Sequence, residues 1–148
     1  PTFRPNGIGR QWYSLFPPDW NEAEIAADKL LDTLKAFDKT KISLQKTVLL
    51  GFSQGGAMAL DAGLRLDFGL VISCSGYSHP NWNPLKNNPV LLSHGLQDEV
   101  VPVNASREIL RRLRNEANLN NELHEYNCSH TIHPDFIEVI QLKIKEVF

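Results

Sequence analysis

Three side chains whose types can together cleave an acyl bond occur in one order along this chain. They are Ser53 in "LLGFSQGGAMAL", Asp98 in "HGLQDEVVP" and His130 in "NCSHTIHP". A serine hydroxyl is a weak nucleophile near neutral pH and needs a base to take its proton. Histidine suits that role because its ordinary pKa lies near ~6.5. A carboxylate fixes the imidazole tautomer and stabilises the imidazolium that forms. The pattern Gly51-x-Ser53-x-Gly55 is that of a nucleophile elbow between a strand and a helix. Such a turn leaves little room for a β-carbon on either side of the serine, so glycine fits. It exposes the hydroxyl and offers the next backbone N–H, that of Gln54, to an oxyanion at the helix N-terminus. Each residue also has a plainer reading, Ser53 as a packed turn serine and Asp98 as a turn or cap. Their conjunction favours the catalytic one.

These groups can meet only if separate elements deliver them. The first twenty residues are rich in proline, glycine and aromatics and read as an irregular loop. Asp19 and Glu22 form a capping-box start. Ala27, Leu30, Leu31, Leu34 and Phe37 then recur at helical spacing, which predicts a helix over about residues 20–38. "TVLLGF" (47–52), "GLVISCS" (69–75) and "VLLSH" (90–94) are short apolar runs of the kind buried on both faces of a parallel sheet. "ELHEY" (122–126) is more polar and suits a sheet edge. Helices are predicted from about Gln54 to Leu66 and from near Pro102–Asn104, the latter with Ile109, Leu110, Leu113 and Ala117 on one face. A last helix carries Pro134 in its first turn and Ile137, Ile140, Ile144 and Val147 as its apolar stripe. The Pro-rich loop "GYSHPNWNPLKNNP" must make a crossover and has room for a short helical turn. The order predicts one α/β domain over 1–148, a mostly parallel sheet with helices on both faces. Ser53 then follows the first strand, Asp98 the third, and His130 with His133 the fourth. All lie on the carboxyl rim where α/β sheets hold their sites.

Composition narrows the rest. A formal net charge of -2 argues against a general nucleic-acid binder. The basic run Arg107–Arg114 reads as the solvated face of an amphipathic helix. No apolar run is long enough to span a bilayer, and no signal-peptide core is visible, so no stable membrane insertion is expected. Two cysteines make no disulfide framework and point to a reducing, cytoplasmic setting. Cys74 and Cys128, with one strand between them, should lie about ~9–10 Å apart and stay free. Cys128-x-His130-x-x-His133 lacks a further Cys/His group nearby, so no metal is expected. His133 competes with His130 as base but suits a helix cap. His79, His94 and His124 are expected at the surface or in local hydrogen bonds. Trp12, Tyr13, Tyr77 and Trp82 are candidates to line an acyl pocket, and Trp12 and Gln97 are candidate substrate-binding residues.

"GFSQGGAMAL", "SGY", "HGLQDEVVP" and "SHTIHPD", with "GRQWY" near the start, resemble the phospholipase/carboxylesterase family of α/β-hydrolases, which includes the acyl-protein thioesterases. The resemblance implies Ser53 as nucleophile, Asp98 as acid and His130 as base. It implies hydrolysis of small or medium acyl esters, thioesters or lysophospholipids through an acyl-enzyme, without metal or organic cofactor. The sequence departs from the family in carrying Ser129 where glycine usually precedes the histidine. It also begins after the strands and the His-Gly loop that supply the family's second oxyanion donor. It is therefore expected to be the C-terminal two-thirds of a hydrolase, with a missing N-terminal segment or a homodimer left open. A ligand-binding protein with little turnover on the same scaffold is the alternative function.

Overall fold

The computed structural model describes residues 1–4, 7–40, 42–114 and 120–148. A short antiparallel ribbon opens the chain, β1 (Thr2–Phe3) paired with β2 (Arg10–Gln11), where an irregular loop was expected. Helix α1 spans Trp20–Asp38, as its apolar spacing predicts. Asp19 caps it by accepting the Glu22 N–H at 2.9 Å. Glu22 does not close the box on Asp19. Its carboxylate takes the Ser14 N–H at 2.8 Å, while the Asp19 N–H goes to the Ser14 carbonyl at 2.9 Å. The cap thus also fixes the chain leading into the helix.

The central sheet is parallel, in the order β3 (Val48–Phe52), β4 (Leu70–Cys74), β5 (Val90–Gly95), β6 (Asn121–Tyr126). Helix α2 (Gln54–Gly63) and α3 (Asn104–Arg114) cover one face, with α1 packed on α2; α4 (Asp135–Val147) covers the other. Alternation along the strands sorts the core. Val71, Val90 and Leu92 meet Leu60, Leu64, Ile109 and Leu113 on the first face. Ile72 and Leu91 meet Phe136, Val139, Ile140 and Ile144 on the second.

Several expectations shift. β4 and β5 are wholly buried, but β3 is not: Leu50 is 47% and Phe52 37% exposed. Among the described residues β3 pairs only with β4, so its outer side has no strand. Helix α2 stops at Gly63 rather than Leu66, because the crossover loop takes the carbonyls that end it. Leu64 O accepts the Leu85 and Lys86 N–H groups at 2.9 and 3.0 Å, and Asn88 donates to Gly63 O and Leu66 O. That loop has no helical turn. It buries Trp82 in the core instead, with the Arg112 guanidinium 4.6 Å over its ring. In α4 Ile140 and Ile144 face inward as expected, but the first turn presents Phe136 rather than Ile137. Phe136 is fully buried, while Ile137 is 48% exposed. Ala117 lies outside the described residues. Arg107 and Arg111 pair with Glu125 and Glu108 on the polar side of α3. No helix among the described residues is long and apolar enough to cross a membrane.

Candidate active site

The turn between β3 and α2 forces Ser53 to φ 55°, ψ -121°, a region that side-chain-bearing residues rarely occupy. Such backbone strain persists only where the surroundings hold it. Here the Ser53 N–H donates to Cys74 O at 2.8 Å and its carbonyl accepts the Ala57 N–H at 3.1 Å. The flanking glycines are not equivalent. A β-carbon on Gly51 would stand 1.9 Å from Gly55 O, and one on Gly56 would stand 2.7 Å from Ser73 Oγ. One on Gly55 would meet nothing within 4 Å, so the crowding after the serine falls on Gly56 rather than on Gly55. The first helical bond is Ala57 to Ser53, which leaves the N–H groups of the first turn of α2, Gln54 foremost, directed out of its N-terminus.

His130, on the loop after β6, reaches both partners. Its Nε2 lies 2.9 Å from Ser53 Oγ and its Nδ1 lies 2.7 Å from Asp98 Oδ2. The carboxylate only accepts, so Nδ1 carries the proton and Nε2 is left to accept from the serine hydroxyl. The Asp98 side chain is fully buried, whereas that of His130 is 19% exposed, so the carboxylate is dry and the imidazole reachable. Asp98 closes a turn and faces the imidazole at once. Its Oδ1 accepts the Val100 and Val101 N–H groups at 2.9 and 2.8 Å, and its Oδ2 faces the imidazole. Burial pushes the Asp98 carboxyl up. The hydrogen bonds from His130, Val101 and Val100 outweigh burial and hold it below its ordinary value. Ser129 does not adopt a left-handed backbone, so the serine fits where the family usually has glycine. The Phe52 ring lies 4.8 Å from the His130 ring and backs it.

Other candidates separate. The Gln54 side chain accepts the Trp12 N–H at 2.8 Å and donates to Tyr13 O at 2.8 Å, clamping the "GRQWY" segment to the elbow. Trp12 is half-buried beside it. Tyr13 and Trp82 are core residues. The Tyr13 hydroxyl sits between Tyr77 Oη at 2.5 Å and His79 Nε2 at 2.9 Å, and His79 Nδ1 lies 2.6 Å from Asp61. Gln97 is exposed on the rim, its amide donating to Asn127 Oδ1. His133 stacks on Tyr126 at 4.6 Å and accepts the Asp135 N–H at 3.3 Å, so it serves the start of α4 rather than Ser53. His79 and His94 are buried and held in hydrogen bonds, the second of the two roles expected of them. Cys74 and Cys128 are both free. A cavity of about 230 Å³ between α1, α2 and the crossover loop is lined by Trp20, Asp61, Arg65 and His79, and none of Ser53, Asp98 and His130 borders it.

Residues 1–148 match the phospholipase/carboxylesterase family. Among solved structures the chain is similar to the esterase PE8, with 30% identity and a TM-score of 0.84 over 96% of this chain and 72% of that one. It also resembles a phospholipase/carboxylesterase from Dyadobacter fermentans (24% identity, TM-score 0.74, 91% and 71% covered). A third likeness is Zea mays acyl-protein thioesterase 2 (21% identity, TM-score 0.69, 89% and 68% covered). These last two are likenesses of fold. No curated protein sequence matches the chain. The chain belongs to the phospholipase/carboxylesterase family of α/β-hydrolases, hydrolases of the esterase and thioesterase type.

Proposed function

We propose that the chain is a serine carboxylesterase that hydrolyses small or medium acyl esters, with thioesters and lysophospholipids in the same chemical range, through an acyl-enzyme. The observation that carries this reading is the continuous chain Ser53 Oγ, His130, Asp98, with gaps of 2.9 and 2.7 Å. Ser53 attacks the acyl carbon while His130 Nε2 takes its proton. The carbonyl oxygen becomes an oxyanion beside the N-terminus of α2, where the Gln54 N–H is one donor. Collapse breaks the bond to the alcohol or thiol, which leaves with the proton from His130. Water, deprotonated by His130, then attacks the acyl carbon, and Ser53 departs with that proton restored. Asp98 stays ionised throughout and balances the imidazolium. Trp12, held beside the elbow through Gln54, forms one wall of the acyl site, and Gln97 stands at its rim.

The test is a chain-length series of nitrophenyl esters with one acyl thioester, beside labelling by a fluorophosphonate. Burst kinetics, labelling at Ser53 and a silent Ser53→Ala variant are expected. Turnover that survives Ser53→Ala contradicts the mechanism. A ligand that binds without labelling or turnover favours a binding protein on this scaffold.

A further inference from the structure

We propose that His94 is a positioning residue for Asp98, a second imidazole that locks the triad carboxylate from the rigid end of β5. The inference rests on the serine-hydrolase reading above. His94 is 1% exposed. Its Nε2 lies 2.8 Å from Val101 O and 3.3 Å from Asp98 Oδ2, and its Nδ1 lies 2.7 Å from Ser106 Oγ. A carbonyl only accepts, so Nε2 carries the proton and donates it to Val101 O, with Asp98 Oδ2 close beside the same ring edge. Nδ1 then accepts from the Ser106 hydroxyl. Ser106 is fully buried in the first turn of α3, which fixes the ring and its tautomer.

The consequence falls on Asp98. An ionised carboxylate has about four acceptor sites. Here Val100 N–H and Val101 N–H fill Oδ1, His130 holds Oδ2, and the His94 ring edge stands 3.3 Å from Oδ2. His94 holds the cradle through Val101, whose carbonyl takes its proton and whose own N–H is a donor to Asp98. Without it, Val101 is free to shift, and Oδ2 is left to His130 on a partly exposed loop. The charged neighbours do not substitute. Glu125 on β6, opposite His94 in register, is taken by Arg107 at 2.6 and 3.0 Å, and the Cys128 thiol makes no hydrogen bond to Asp98.

The experiment compares His94→Leu, His94→Gln and Ser106→Ala with the parent chain. It uses p-nitrophenyl acetate turnover across pH, the low-field proton resonance of the His130 Nδ1–H, and the melting temperature. In His94→Leu, kcat should fall about tenfold, the worth of one hydrogen bond in the cradle of Asp98. KM should change little. The acid limb of kcat/KM should move to lower pH, because a carboxylate free to swing away no longer favours the imidazolium. The low-field resonance should broaden. His94→Gln, whose amide N–H can reach the Nε2 position, should recover most of the loss. If His94→Leu does not fold, Ser106→Ala should show the same changes at smaller size. Unchanged kcat, limb and resonance in a folded His94→Leu or, failing that, in Ser106→Ala overturn the proposal. A limb that moves to higher pH does so as well. Ser53→Ala in the same assay separates the two failures. Turnover there removes the serine mechanism itself, whereas a silent Ser53→Ala beside an unchanged His94 variant removes only the role of His94.

Discussion

A β-carbon on Gly95 would stand 2.3 Å from the carbonyl oxygen of Ser129. The end of β5 and the loop that presents His130 therefore touch backbone to backbone. The contact continues at Cys128, whose carbonyl would lie 2.4 Å from the same carbon and accepts the Gln97 N–H at 3.0 Å. Gly95→Ala must push the histidine loop away from the sheet, since neither carbonyl is the end of a flexible side chain. A loss of about 1–3 kcal/mol in unfolding free energy is expected. Because a displacement of about 1 Å can cost ~100-fold in rate, kcat should fall further than stability alone explains. Urea unfolding beside ester turnover checks both.

The glycines around Ser53 give a matched set. Gly51→Ala and Gly56→Ala should destabilise, the first more severely because its clash is with backbone at 1.9 Å and the second with Ser73 Oγ at 2.7 Å. Gly55→Ala meets no atom and sits in the first turn of α2, where alanine is the better helix former by about 0.5–1 kcal/mol. It should raise the urea midpoint. Equal loss in all three variants would contradict the geometry.

Ser53 itself opposes stability. A non-glycine residue at φ 55°, ψ -121° carries strain of about 1–3 kcal/mol, which glycine does not. Ser53→Gly should therefore melt higher than the parent while losing all ester turnover, and Ser53→Ala should lose turnover without that gain. Calorimetry of the two variants separates the outcomes.

Acid should act on the fold partly through Asp98. Its pKa is depressed in the folded chain: burial raises it, but the donors around it prevail. A depressed folded value means that its stabilising contribution is complete above the unfolded value near ~3.9 and is lost as pH falls through the folded value. Asp98→Asn should be less stable than the parent by a constant margin from about pH 7 to about pH 5, narrowing below about pH 4. Urea midpoints as a function of pH report this margin. Turnover should also drop, since the amide no longer selects the His130 tautomer.

Much of the candidate site was legible because each member ends a strand. Ser53 and Asp98 sit just past apolar runs and His130 past a more polar one, and the rim of a parallel sheet gathers whatever follows its strands. The bounds of α1 were legible for a similar local reason, with Asp19 three residues before Glu22 and apolar residues in step. What escaped depends on partners far along the chain. The burial of Tyr13 needs Tyr77 and His79, and the Gln54 clamp needs Trp12 and Tyr13. His94 looked like an ordinary strand residue because its meeting with Asp98 arises from a turn rather than from helical spacing.

The four-stranded order gives the 2.9 Å contact between His130 and Ser53 a mechanical meaning. It ties the loop after β6 to the turn after β3, across three interstrand spacings of about 4.8 Å each. The bond is a chord over the four described strands. Untwisting or spreading those strands would lengthen it. Ester turnover should therefore act as a strain gauge for these strands, registering deformations too small to count as unfolding.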